Sequence, residues 1–372
     1  MLHEKLGSWK EERAPRYVLA KMSGEQGYDE PRSQKMAFAE YESSGFTQTH
    51  IHLDSNISGG NSMKVGIVGA GFVGSTAAYT MALEGAASNI VLVDIDEKLA
   101  SAQAEDILHA TPHAHATRVH SGDYSALDSA RVVILACGVG QKEGESRMEL
   151  LGRNAKVFED AIPKVVKAAP DAVLVVATNP VDIITQITTK ISGLPAGRVI
   201  GSGTILDTAR FRSMMGSHLG ISSRSIHAYV VGEHGPTEVL VWSSPHVGGV
   251  SLAEFAKQID RPLSDDIRSY IDDGVRNAAS RIIDGKGATY YGIGGGLSRI
   301  VRAIRDDEGV LLTVSSLGNC HEDLEEVCFS VPRIVGGQGI VSEVWPALSE
   351  NEHQALCKSV SAIAEPSREL GY

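Results

Sequence analysis

A β-branched run, Lys64-Val65-Gly66-Ile67-Val68, passes directly into Gly69-Ala70-Gly71-Phe72-Val73-Gly74, and an alanine-rich stretch from Ser75 to Glu84 follows. Strand, glycine turn and helix in that order leave a chain few alternatives. Gly69 permits the tight turn, Gly71 lets a pyrophosphate approach the backbone, and Gly74 lets helix and strand pack closely. The free N–H groups and positive dipole end of the helix then face the phosphates. A second strand, Asn89–Val93, ends at Asp94, 20 residues past Gly74. An acid there accepts hydrogen bonds from ribose hydroxyls and repels an extra 2′-phosphate, so NAD is favoured over NADP. The turn Gly69–Gly74, with Phe72 and Val73 between its glycines, and Asp94 are therefore the candidate cofactor-binding residues.

Strand and helix keep alternating. Arg131–Ala136 reads as a strand, Met148–Ala168 as a long amphipathic helix, and Ala172–Ala177 as another strand. This pattern predicts an α/β fold, a Rossmann-type doubly wound parallel sheet covered by helices on both faces. The expected division is a nucleotide domain over 63–202, followed by a substrate domain over 203–372. Residues 1–62 read differently: they mix charges of both signs with Gly, Ser and Gln, and show no periodic apolar face. They are expected to be a disordered tail rather than an upstream addition ahead of Met63 or an arm on a neighbouring subunit. The tail has no apolar core typical of a secretory signal and too many acids for a transit peptide.

Lys and Arg number 34 against 46 Asp and Glu, a net charge of −12, with no basic block. Phosphate contacts need clustered cations, so a nucleic-acid partner is not expected. No apolar run is long enough for a bilayer, so no membrane partner is expected either. The four cysteines, Cys137, Cys320, Cys328 and Cys357, lack CxxC spacing, which argues against a disulfide scaffold or a thiolate metal site and suits a cytoplasmic location.

A dinucleotide fold does not by itself name a reaction. Four later segments narrow it: the Gly- and charge-rich loop Gly138–Arg147, Thr178-Asn179-Pro180-Val181-Asp182 after a strand, Gly203–Arg210 opening a helix, and Gly232-Glu233-His234-Gly235 after Tyr229-Val230-Val231. Together with the glycine turn, in this order and spacing, they resemble the L-lactate dehydrogenase and lactate-dehydrogenase-like malate dehydrogenase family. The likeness runs from Met63 nearly to the C-terminus and implies an NAD-dependent 2-hydroxy acid dehydrogenase with a C-terminal α+β substrate domain. It also implies roles for His234, Asp207 and Arg147 in catalysis, for Arg210 on the substrate carboxylate, and for Asn179 and Thr289 as site-lining residues, with Asn179 also meeting the cofactor.

The implied chemistry is coherent. A histidine titrates near working pH and can give a proton to the new alkoxide and take it back. Asp207 would fix its tautomer and stabilise the imidazolium. A guanidinium binds a carboxylate through two parallel bonds, which suits Arg210. Arg147, on a closing loop, would polarise the ketone. Singly, such residues are usually surface or core groups; an i, i+3 Asp–Arg pair on a helix contributes only a few tenths of a kcal/mol.

Gln141 stands where the family discriminates substrates. Malate enzymes of the group carry an arginine there for a second carboxylate, so a neutral Gln141 favours pyruvate and L-lactate. A malate dehydrogenase or another 2-keto acid reductase is the rival reading, and a catalytically silent dinucleotide-binding protein is the reading from another class. Pro236 departs from the family's Asp or Asn after Gly235 and removes a backbone N–H beside His234. The resemblance also implies a homotetramer, sometimes a dimer. Arg212 and His227 match a fructose-1,6-bisphosphate activator site of many bacterial members, although members indifferent to that activator carry the same residue types.

Overall fold

A computed structural model describes residues 63–140, 144–319 and 326–372. The expectations for residues 1–62 lie outside this range, as do Gln141 and the side chain of Arg147. The first half alternates β1 (Lys64–Val68), α1 (Phe72–Glu84), β2 (Asn89–Val93), α2 (Glu97–Ala110), β3 (Arg118–Ser121), β4 (Val132–Leu135), α3 (Arg147–Ala168), β5 (Val173–Val176), α4 (Val181–Ser192) and β6 (Val199–Gly201). These six strands are parallel, in the order β6-β5-β4-β1-β2-β3. Such a sheet is buried on both faces, which is why its strands read as unbroken apolar runs. In β4, Val133 and Leu135 pack with Phe158, Ile162 and Val165 of α3, whereas Val132 and Ile134 join Ala77, Ala78 and Met81 of α1 on the other face.

Helix ends follow local chemistry. Helix α3 opens on a reciprocal capping box between Ser146 and Glu149. Helix α1 starts at Phe72, inside the glycine turn and earlier than the expected Ser75, and ends on Gly85 in the left-handed conformation (φ 63°). It has small residues on its buried face, and α9 (Tyr291–Arg305) crosses it closely: a Cβ on Gly294 would lie 2.7 Å from Thr76 Cγ2.

The second half begins with α5 (Ile205–Leu219) and continues through the short strands β7 (Ile226–His227), β8 (Val230–Val231), β9 (Val239–Leu240), β10 (His246–Val247) and β11 (Val250–Ser251). Then come α6 (Leu252–Gln258), α7 (Asp265–Arg276), α8 (Ala278–Lys286), α9, β12 (Val310–Gly318), β13 (Val327–Gly336), β14 (Gly339–Glu343) and α10 (Glu350–Glu369). Phe211 and Met215 of α5 centre a third core with Ile271 and Val275 of α7.

One difference from the sequence expectation concerns the sheet. It is not wholly parallel and does not stop at residue 202. Strand β12 pairs antiparallel with β6 through Ser315 and Gly201, and β13 and β14 follow, giving a sheet of nine strands among the described residues. Arg333 of β13 is buried at this edge. Its guanidinium donates to the carbonyls of Val314 (2.5 Å) and Phe329 (2.7 Å) and meets Glu343 Oε2 at 3.3 Å, so the buried charge is partnered.

Candidate active site

The carboxyl ends of β1, β4 and β5 open onto the N-terminus of α1, the crevice where open α/β sheets bind ligands. Gly69 sits at φ 103°, and a Cβ there would fall 2.5 Å from the backbone of Ala136 and Cys137. A Cβ on Gly74 would reach 1.9 Å from Gly69 O. Both positions therefore demand glycine on steric grounds. Gly71 is different: nothing lies within 4 Å of an added Cβ, so its backbone faces open space. An open backbone at a helix N-terminus fits the pyrophosphate of NAD.

Asp94 ends β2 beside this turn. Its Oδ2 accepts from the Ala70 N–H (2.6 Å) and its Oδ1 from the Asp96 N–H (3.0 Å). The carboxylate thus braces the turn. Phe72 is exposed and stacks on Tyr290 with centroids 5.2 Å apart, while Val73 packs on the core beneath.

The proton-transfer candidates meet between α5 and the loop joining β8 to β9. Asp207 lies in the first turn of α5 and is fully buried; its Oδ2 is 2.6 Å from His234 Nδ1 and its Oδ1 2.7 Å from Arg210 Nη1. One turn of helix puts Asp207 and Arg210 on the same side. Burial works against charge on His234, but the Asp207 carboxylate outweighs it and pushes the imidazole up to about 9. Burial would likewise raise Asp207, yet His234 and Arg210 hold it below the usual carboxylate range.

Asp182, in the first turn of α4, also belongs here. Its Oδ2 accepts from the backbone N–H of His234 at 2.7 Å. Its Oδ1 and Ser315 Oγ are both buried and form no hydrogen bond of ordinary geometry with a described residue. Burial pushes this carboxyl up to about 6, against the opposing pull of Ser315 and His234. From sequence alone Asp182 has no evident role, because an acid in a first helical turn is ordinary there.

Asn179 follows β5 at an exposed position, and its carbonyl accepts from Asn154 Nδ2 at 3.3 Å. Thr289 is half-buried between α8 and α9. Arg147 begins α3. Arg212 is set apart from the histidine cluster: its Nε donates to Ala228 O (2.9 Å) and its guanidinium lies 5.3 Å from the Tyr229 ring centre, while His227 is exposed on β7. Pro236 is exposed, and its carbonyl accepts from Arg276 Nη1 at 3.3 Å.

Comparison with known proteins fits this geometry. Residues 63–201 match the lactate/malate dehydrogenase NAD-binding domain, and residues 204–367 match the α/β C-terminal domain of the same family. An L-lactate dehydrogenase of Thermus aquaticus is 57% identical over 310 residues, 83% of this chain and 100% of that protein. One from Allorhizobium ampelinum is 56% identical over 303 residues, 82% of this chain and 98% of its own. The crystal structure of a lactate dehydrogenase from a Medee basin deep-sea metagenome library superposes with a TM-score of 0.81 at 37% identity, covering 84% of this chain and 99% of that one. The minor L-lactate dehydrogenase of Enterococcus mundtii gives 0.80 at 39% identity, covering 83% and 98%. With both halves matched and the identity this high, the chain belongs to the lactate/malate dehydrogenase family.

Proposed function

We propose that the chain is an NAD-dependent L-lactate dehydrogenase that interconverts pyruvate and L-lactate, with His234 as proton donor and acceptor. The observation that carries the proton-transfer role is the Asp207–His234 contact of 2.6 Å, with Arg210 on the other Asp207 oxygen. The relatives named L-lactate dehydrogenase support the choice of reaction.

Bound NAD supplies the hydride acceptor, and in its reduced form the hydride donor. Gly69, Gly71 and Gly74, with the α1 N-terminus, hold the pyrophosphate; Phe72 and Val73 form the rest of the turn, Asp94 takes the ribose, and Asn179 flanks the cofactor. Asp207 keeps the Nδ1 proton on His234, so Nε2 is the atom that gives a proton to the nascent alkoxide or removes one from lactate. Arg210 pairs with the substrate carboxylate, and its bond to Asp207 pre-sets its direction. Arg147, at the start of α3 where the loop ends, polarises the ketone, and Thr289 lines the site. Asp182 fixes the backbone of His234.

Gln141 selects pyruvate by leaving a second carboxylate without a cation. An NADH absorbance assay tests both the reaction and the selection: pyruvate should be reduced far faster than oxaloacetate. Gln141→Arg should move the ratio of the two kcat/KM values toward oxaloacetate by several kcal/mol, roughly 10²–10⁴-fold, the scale for a buried carboxylate that gains its partner. Preference of the parent enzyme for oxaloacetate would favour the malate reading, and no turnover of either acid would favour the silent one.

The cofactor preference has its own check. Asp94→Ser removes the charge that repels a 2′-phosphate, so kcat/KM for NADPH should rise relative to NADH. Total activity should fall, because the Ala70 N–H loses its 2.6 Å acceptor. Equal use of both cofactors by the unaltered enzyme would defeat the assignment. A homotetramer, and fructose-1,6-bisphosphate binding at Arg212 and His227, complete the proposal; a cytoplasmic location is part of it, and no described helix is long and apolar enough to cross a membrane.

A further inference from the structure

The loop that carries His234 also carries a buried acid with no part in the proton transfer described above. Glu238 ends that loop just before β9; its N–H bonds to Gly235 O at 3.1 Å, and the next residue, Val239, pairs with Val231 of β8. Glu238 is only 4% exposed, and its Oε1 is buried with no hydrogen-bond partner among the described residues. The charged groups facing it come from three elements: Asp207 and Arg210 on α5, His234 on the same loop, and Arg276 on α7. Arg276 bonds to the loop backbone, donating from Nη1 to the carbonyls of Glu238 (2.7 Å) and Pro236 (3.3 Å).

Two buried carboxyl groups that act on each other cannot both ionise cheaply. Asp207 has the advantage, because His234 and Arg210 each give one of its oxygens a charge-assisted bond. Glu238 Oε1 has no such bond, so an ionised Glu238 would carry an unsatisfied buried charge. Burial first, and then repulsion from Asp207, push Glu238 up to about 8 despite the pull of Arg276 and His234.

We propose that Glu238 is a positioning residue for proton transfer: it stands as a neutral acid beside the Asp207–His234 pair, and a charge placed on it binds the proton more tightly to His234. The inference rests on His234 being the acid/base group. Its consequence has a definite sign. Once Glu238 loses its proton, the new anion favours the imidazolium. Pyruvate reduction, which needs that form, then persists to higher pH, and lactate oxidation, which needs neutral His234, is held back.

The test is kcat/KM against pH in both directions, for the unaltered enzyme and for Glu238→Gln, which keeps a neutral group of the same shape. The variant should match the parent near neutral pH. Above it, both limbs should move to lower pH by about one to two units, the order set by one charge roughly 6–12 Å away at an effective dielectric of about 20. Superimposable profiles would overturn the proposal. A second measurement needs no variant: enzyme with isotope-labelled glutamate should show a carboxylic-acid carbonyl band in the infrared at neutral pH that vanishes in alkali. Absence of the band at neutral pH would also overturn it. If the parent shows no opposed pH dependence in its two directions, the His234 assignment itself fails; if it does and the variant superimposes, only the Glu238 inference fails.

Discussion

His234→Asn should lower pyruvate reduction and lactate oxidation by roughly 10²–10⁴-fold or more, the range for losing a placed acid/base group. Asn can fill much of the same space and keep the backbone N–H that Asp182 accepts at 2.7 Å, so the loop should hold its course. What disappears is a group able to carry a proton. NADH affinity should change little, because the residues proposed to hold the phosphates and ribose lie in the Gly69–Gly74 turn and at Asp94. Steady-state kinetics beside NADH fluorescence titration separates the two quantities. Near-parental turnover in this variant would refute the mechanism.

Asp207→Asn should cost roughly 10²–10⁴-fold in pyruvate reduction at neutral pH, for two reasons that act together. The amide cannot stabilise the imidazolium, so burial is left to dominate and the His234 pKa drops. Arg210 also loses a charged partner at 2.7 Å, and with it a support for its direction. The reduction limb of the pH profile should therefore move to lower pH as well as fall in height; a loss of height with no movement would reduce Asp207 to a purely steric part. Stability should respond too. His234 is raised above its ordinary 6.5, so its stabilising contribution is full below 6.5 and is lost as pH rises through about 9. Asp207 is depressed, so its contribution is present above the ordinary carboxylate range and is lost as pH falls through its lowered value. The parent should thus show a fall in melting temperature between pH 6.5 and about 9 that Asp207→Asn lacks.

The parts of the molecule legible in the sequence are those fixed by local chemistry. The glycine turn could be read because Gly69 and Gly74 meet backbone atoms at distances no side chain tolerates, and such sites leave their mark at fixed spacing. Strands β1 and β2 could be read because burial on both faces demands unbroken apolar runs. Asp207 and Arg210 are neighbours on one helix turn, and their link to His234 came through family resemblance rather than spacing. Asp182 closes one of the segments singled out in the sequence, but its tie to His234 spans 52 positions and no local pattern records it. Glu238 was missed for the same kind of reason: its surroundings are assembled from α5, α7 and its own loop, and from sequence alone it is one acid among many. The antiparallel strands β12 to β14 escaped notice as part of the main sheet because pairing across the two halves is a long-range choice.

That pairing has a consequence for how the chain is made. Ser315 of β12 leaves the ribosome more than a hundred residues after Gly201 of β6, the strand it covers. At roughly 5–20 residues per second, β6 presents an open edge for on the order of ten seconds during synthesis. An uncovered strand edge is a template for pairing with other chains. The interval before β12 arrives is thus a time at which this edge is open to mispairing, and a fragment ending near residue 202 would remain in that condition permanently.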